Sequence, residues 1–193
     1  MAQYDVAMLV GSNRKHSLNV RLARAIENNA PASLRFDWVK MDDLPFYNAD
    51  LEKERPASVQ RFVSEINAAD AVCFVTPEYN RSIPAVLKNA IDWGSKPADQ
   101  NVWRDKTIAM AGTSPGNIGT ALAQQHLRQI LSILNGIVMP GEVYITFKSP
   151  DLIDEGGNVT DDRVRGFIAA FVQRFANLIE RLAEPKTEQK SHL

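Results

Sequence analysis

Three short stretches of the chain carry residue types and spacings that could do chemistry. The first reads Gly11-Ser12-Asn13-Arg14-Lys15-His16-Ser17-Leu18-Asn19. It follows an apolar run and precedes an amphipathic one, so it joins a strand to the N-terminus of a helix. Such an end presents unpaired N–H groups and a partial positive charge, which suits a phosphate. Ser12, Ser17 and Asn19 add neutral donors, and Arg14 adds a forked cation matched to phosphate oxygens. A polar turn with an ordinary helix cap would use the same residues. The stretch lacks the Gly-Lys-Ser/Thr ending of a Walker A loop and the repeated glycines of a dinucleotide fingerprint. With no metal-holding acid nearby, it does not read as a phosphoryl-transfer site.

The second stretch is Thr76-Pro77-Glu78-Tyr79-Asn80-Arg81-Ser82-Ile83-Pro84. Prolines bracket it and leave its backbone few conformations. A rigid loop of this kind can aim main-chain groups at the edge of a flat heterocycle, with Tyr79 as an aromatic surface; it can also be a stiff connector. Glu78 is the acid inside the motif and reads as a loop-shaping or ligand-bonding residue. The third stretch is Gly112-Thr113-Ser114-Pro115-Gly116-Asn117-Ile118-Gly119, whose glycines permit close approach of the backbone to a ligand or simply a flexible turn. Lys15 and Arg81 are either solvated charges or attractors for the phosphates of a nicotinamide cofactor.

Other reactive side chains are isolated. Cys73 is the single cysteine, so one chain can build neither a disulfide framework nor a zinc site. It lies mid-strand between Val72 and Phe74 and reads as a buried structural thiol, compatible with a reducing, cytoplasmic setting. His16, His126 and His192 fall in a loop, a helix and the tail, and form no metal-binding constellation. The formal net charge of −1, with both signs mixed, argues against a nucleic-acid surface. No apolar run approaches the roughly 20 residues that cross a bilayer, and residues 6–10 are too short for a signal sequence core. The final Ser191-His192-Leu193 loosely resembles a peroxisomal address, but reads better as part of a polar tail over 184–193.

The elements that must position these stretches alternate in type. Apolar runs at 6–10, 71–76 and 107–111, an alternating run at 34–41 and a further run within 138–147 predict five strands. Between them fall helices over 18–29 (Ser17 as N-cap), after Ser58, from Pro84 through Ile91 and over 118–134. A last helix, capped by Thr160, is expected to hold Val164, Phe167, Phe171, Phe175, Leu178 and Leu182 on one face. Five βα units imply a parallel sheet covered on both sides, with ligands beyond the carboxyl ends of its strands. The expectation is one domain over residues 1–183.

Gly11-Ser12-x-Arg14-x-x-Ser17-x-Asn19, Thr76-Pro77-Glu78-Tyr79-Asn80-x-Ser82-x-Pro84 and Leu87-Lys88-Asn89-Ala90-Ile91-Asp92-Trp93 together resemble the NAD(P)H-dependent FMN reductase family. The likeness extends over nearly the whole chain and is nearest to the bacterial quinone and chromate reductases. It implies a flavodoxin-like α/β three-layer sandwich with a five-stranded parallel sheet, non-covalent FMN, and NADH or NADPH as electron donor. By that resemblance the acceptors are quinones and other small molecules such as chromate, azo or nitro compounds, and the assembly is a homodimer or homotetramer. It further implies that Ser12, Arg14, Ser17, Leu18 and Asn19 hold the FMN phosphate, that Pro77, Glu78, Tyr79 and Asn80 border the isoalloxazine, and that Ser114, Gly116 and Asn117 approach its pyrimidine side. The flavin would carry the chemistry, so no catalytic side chain is expected. Phe46-Tyr47, Trp93 and Trp103 supply aromatic groups either to a partner surface, as the resemblance implies, or to local packing, with Trp93 and Trp103 covering core or interface rather than stacking on flavin. Two alternatives remain open at this point: a one-electron carrier of the flavodoxin type, although such carriers are usually strongly acidic, and a cofactor-free binding protein on the same fold.

Overall fold

The computed structural model describes residues 2–149 and 151–183; the expected tail at 184–193 lies outside the described residues. Strands β1 (Tyr4–Val10), β2 (Leu34–Trp38), β3 (Ala71–Val75) and β4 (Thr107–Ser114) are joined by helices α1 (Leu18–Asn28), α2 (Ala57–Ala68) and α3 (Ala85–Gly94). Helix α4 (Ala121–Ile133) leads to the short strands β5 (Ile137–Val138) and β6 (Tyr144–Thr146), and α5 (Asp162–Leu182) follows. The strand order is β2-β1-β3-β4-β5, with every pairing parallel. This is the expected sheet with one difference: the fifth position is divided. β5 pairs with Thr107–Ile108 at the start of β4, and β6 pairs with Gly112–Ser114 at its end. Residues 140–142 leave the ladder between Met139, whose N–H still reaches the Ile108 carbonyl, and Val143, whose carbonyl accepts from Gly112 N–H at 2.9 Å and from the Gln124 amide at 2.8 Å.

The sheet is apolar on both faces because both are covered. Every residue of β3 is buried. On one face Leu22 and Ile26 of α1 and Phe171 and Phe175 of α5 pack against Met8, Cys73 and Ala109. On the other, residues of α2, α3 and α4, among them Phe62, Leu87 and Leu127, pack against Leu9, Phe74 and Ile108. The three expected layers are therefore present.

Several local expectations need correction. The N-cap of α5 is Asp161, whose carboxylate accepts from the N–H groups of Arg163 and Val164 at 2.8 and 3.0 Å. Thr160 instead donates its hydroxyl to the Asp151 carbonyl at 2.9 Å. The buried face of α5 runs through Ile168, Phe171, Val172, Phe175, Ala176 and Ile179, leaving Phe167 and Leu182 exposed. Helix α2 begins at Ala57, Pro84 precedes α3 as its N-cap, and β2 stops at Trp38. Trp38 is exposed, and its indole N–H donates to Glu27. Trp93 and Trp103 are wholly buried and cannot offer a partner surface; Trp103 packs against Phe62 and Phe74 and donates to the Ile91 carbonyl at 2.9 Å.

Parallel pairing brings the carboxyl ends of β1, β3 and β4 to one edge, side by side. The chain runs outward from β1 to β2 and then returns across β1 to β3, so this edge contains the switch in strand order.

Candidate functional site

The three chemically loaded stretches are the loops that leave β1, β3 and β4 at that edge. Ser17 does cap α1: its hydroxyl oxygen accepts from the N–H groups of Asn19 and Val20 at 3.2 and 3.3 Å. That oxygen leaves its own proton available to a ligand. Among the described residues, the backbone N–H groups of residues 12–16 meet no protein acceptor, and Arg14 is exposed with no ion pair. Unpaired main-chain donors, a hydroxyl and a free guanidinium at one helix N-terminus fit a phosphate monoester, which carries about −1.5 to −2 charge. His16 turns away from this set, its Nδ1 lying 3.4 Å from Glu155 Oε1. Asn19 contributes less than expected, because its amide already exchanges two bonds of 3.0 Å with Thr113.

The second loop is folded by a tight turn. Tyr79 and Ser82 exchange both backbone hydrogen bonds at 3.0 Å across Asn80 and Arg81, whose φ angles are +50° and +67°. Two positive φ angles at the centre are those of a type I′ turn, which asparagine tolerates and arginine adopts at a cost. The turn leaves Tyr79 53% exposed, while Pro77 just before it is buried. The Glu78 carboxylate points away to the start of α4, where Oε2 accepts from Leu122 and Ala123 N–H. These bonds give Glu78 a loop-fixing contact whose partner lies 44 residues away, and nothing local in the sequence announces it.

The third loop begins at Ser114, whose hydroxyl donates to the Gly119 carbonyl at 2.8 Å and accepts from Gly116 N–H at 3.2 Å. Gly112, just before it, is required by space. A Cβ there would lie 2.1 Å from Thr120 Oγ1 and 2.4 Å from the Thr76 carbonyl oxygen.

A single cleft opens where the loops meet. Ser12, Arg14, Ser17, Leu18 and Asn19 line it from the first loop, Pro77, Glu78 and Tyr79 from the second, and Ser114 from the third. Thr113 and Pro115 line it as well; Pro115 lies within the 114–117 segment expected at the ligand, whereas Thr113 lies just before it. Asn80 is left out at the exposed tip of its turn, and Gly116 and Asn117 are exposed beyond the rim. The cleft thus has a donor-rich cationic end and an end walled by proline, tyrosine and a serine-bearing turn. That asymmetry fits a molecule with a phosphate at one end and a flat ring at the other. Cys73 plays no part: burial among apolar strands pushes its thiol up to about 12. Among the described residues no group of three or more His, Cys, Asp or Glu could hold a metal ion, and no helix is long and apolar enough to cross a membrane.

Known proteins align with this arrangement. A quinone reductase of Pseudomonas putida is 46% identical over 180 residues, which cover 92% of this chain and 95% of the relative. A 2-hydroxy-1,4-benzoquinone reductase of a Burkholderia species is 42% identical over 172 residues, covering 89% of this chain and 93% of that one. Among solved structures, FerB, a flavoenzyme NAD(P)H:(acceptor) oxidoreductase from Paracoccus denitrificans, superposes with a TM-score of 0.88 at 42% identity, covering 92% of this chain and 98% of its own. A flavodoxin, WrbA-like protein from Agrobacterium tumefaciens, at 15% identity and a TM-score of 0.55, shares the fold alone. The family model described as NADPH-dependent FMN reductase matches residues 4–149, which contain all three loops, and the chain belongs to that family.

Proposed function

We propose that this protein is an FMN-dependent NAD(P)H oxidoreductase that reduces quinones and other small acceptors. The observation that carries the reading is the meeting of Arg14, Tyr79 and Ser114, from three separate loops, around one cleft. The chemistry that bound FMN would supply is two-electron transfer, from a hydride of NADH or NADPH to a small acceptor. The chain's own residues bind and orient. Arg14, the Ser12 and Ser17 hydroxyls and the free N–H groups of the first loop hold the phosphate. The rigid backbone of Pro77 to Tyr79 and the Ser114 turn, which line the rest of the cleft, would hold the flat ring. Quinone is favoured as acceptor because the relatives at 38–46% identity are named quinone reductases.

The reading includes one folded unit over residues 1–183, a cytoplasmic location and an assembly of two or four copies. Phe46 supports the assembly: it is 84% exposed although the backbone on either side of it is pinned to α3 by Asn89 and Trp93. The test begins with the purified protein, reconstituted with FMN and freed of excess. Anaerobic addition of NADH or NADPH should bleach the flavin absorbance, and benzoquinone should restore it within the turnover time. A flavin that is bound but not bleached by either nucleotide would make the protein a carrier. A protein with no affinity for FMN would return it to the cofactor-free alternative.

A further inference from the structure

Glu78 stands in the second loop, but its carboxylate serves α4. Oε2 accepts from Leu122 N–H at 3.0 Å and from Ala123 N–H at 3.1 Å. The helix has no side-chain cap of its own: Thr120 occupies the N-cap position without a capping bond, its hydroxyl being bonded to the Gln124 amide at 3.0 Å. A carboxylate at this end meets both unpaired donors and the partial positive charge of the helix. The other carboxylate oxygen lies 3.6 Å from the Arg81 guanidinium, and the Glu78 side chain is only 10% exposed. One turn further along α4, His126 Nδ1 sits 3.1 Å from the Ser82 hydroxyl. The loop is therefore fastened to α4 on both sides of its tight turn.

We propose that Glu78 is a positioning residue whose carboxylate, by capping α4, locks the second loop against the element into which the third loop runs, and so sets the spacing of the cleft walls. The inference rests on the FMN reading above. The turn needs such a fastening, because Asn80 and Arg81 hold left-handed backbone that persists only where the surroundings enforce it. Loss of the carboxylate frees Pro77 to Tyr79 to move relative to Ser114. It leaves the sheet and the Arg14 end of the cleft in place.

Reach and not charge is the decisive property, and three variants separate the two. Glu78→Ala removes the acceptor. Glu78→Gln keeps an acceptor oxygen at the same reach without the charge, and Glu78→Asp keeps the charge but withdraws it by one methylene. FMN dissociation, amide hydrogen exchange at Leu122 and Ala123, and the visible circular dichroism of bound flavin are measured for each. Glu78→Ala and Glu78→Asp should exchange faster at both amides, bind FMN roughly tenfold more weakly and show an altered flavin band. Glu78→Gln should stay within about threefold of wild type. Unchanged exchange in Glu78→Ala overturns the cap, and faster exchange with unchanged FMN affinity and spectrum reduces it to a purely structural one, which also overturns the proposal. If Glu78→Ala does not fold, the order of Gln and Asp decides: Asp equal to or better than Gln overturns it. A wild-type protein with no FMN affinity overturns the cofactor reading itself, and is seen before any variant is compared.

Discussion

The side chain of Asn19 takes the place of a missing strand partner for Thr113. Its Nδ2 donates to the Thr113 carbonyl and its Oδ1 accepts from Thr113 N–H, both at 3.0 Å and across 94 residues of sequence. β3 pairs with β4 only as far as Thr76, whose N–H reaches the Ala111 carbonyl; the chain then turns away at Pro77. Thr113, two residues beyond Ala111, is left with its backbone groups facing the gap, and the amide fills it. One residue at the start of α1 thereby ties the first loop to the third.

Replacing Asn19 with alanine should strand two buried backbone groups. Each unsatisfied group costs about 1–3 kcal/mol, so a loss on the order of 2–6 kcal/mol in unfolding free energy is expected. Asn19→Asp keeps the acceptor, loses the donor and sets a carboxylate against a carbonyl, and should be no better. Urea denaturation monitored by circular dichroism measures both. A loss under about 1 kcal/mol for Asn19→Ala would mean that water satisfies Thr113 in its place.

Gly112 gives a second stability test at the same edge. A Cβ there meets a hydroxyl that can rotate away and a carbonyl that cannot, at 2.1 and 2.4 Å from Thr120 Oγ1 and the Thr76 oxygen. Gly112→Ala should cost about 1–3 kcal/mol or more. In a Thr120→Ala background the cost should shrink without vanishing, because the Thr76 carbonyl remains. Thermal unfolding of the single and double variants checks this, and complete relief in the double variant would refute the carbonyl contact.

What could be read from the sequence was local. Ser17 as the cap of α1, the buried β3 and the place of the first loop between β1 and α1 all follow from near neighbours and periodicity. Thr160 and Asp161 are adjacent capping residues, and which of them caps α5 is settled by Asp151, whose carbonyl takes the threonine hydroxyl. Phe167 and Ile168 are both apolar and adjacent, so periodicity alone does not decide between them; the buried face of α5 keeps Phe171 and Phe175 but runs through Ile168, Val172 and Ile179 instead of Phe167, Leu178 and Leu182. The links that assemble the cleft, Asn19 to Thr113 and Glu78 to α4, span 94 and 44 residues and depend on tertiary placement alone.

Cys73 should be inert in the folded protein. It lies in β3 between Met8 of β1 and Ala109 of β4, and burial moves its thiol from an ordinary value near 9.0 up to about 12. A raised value favours the neutral thiol in the fold. Its contribution is fully present below pH 9 and is lost as pH rises from about 9 towards 12, where only the unfolded thiol ionises. A thiol reagent at pH 8 should label Cys73 only after denaturant is added, and Cys73→Ala should flatten the alkaline limb of the stability curve. Rapid stoichiometric labelling of the native protein would contradict this.

Arg14 offers the sharpest test of the cofactor reading. It is the residue of the first loop that is both cationic and able to make a bidentate phosphate contact, and it lines the cleft while the neighbouring Lys15 does not. Removing one charge-assisted contact should cost roughly 1.5–3 kcal/mol, on the order of ten- to hundredfold in FMN affinity. Folding should survive, since the side chain is exposed and forms no ion pair among the described residues. Arg14→Ala is expected to be folded but pale, with activity restored by excess FMN, and Arg14→Lys should fall between it and wild type, keeping charge but losing the fork. FMN dissociation followed by fluorescence compares both with wild type and Lys15→Ala. Normal binding by Arg14→Ala together with loss in Lys15→Ala would move the contact to the lysine. If neither substitution weakens binding, the unpaired N–H groups of residues 12–16 and the Ser17 hydroxyl hold the phosphate, and the guanidinium is dispensable.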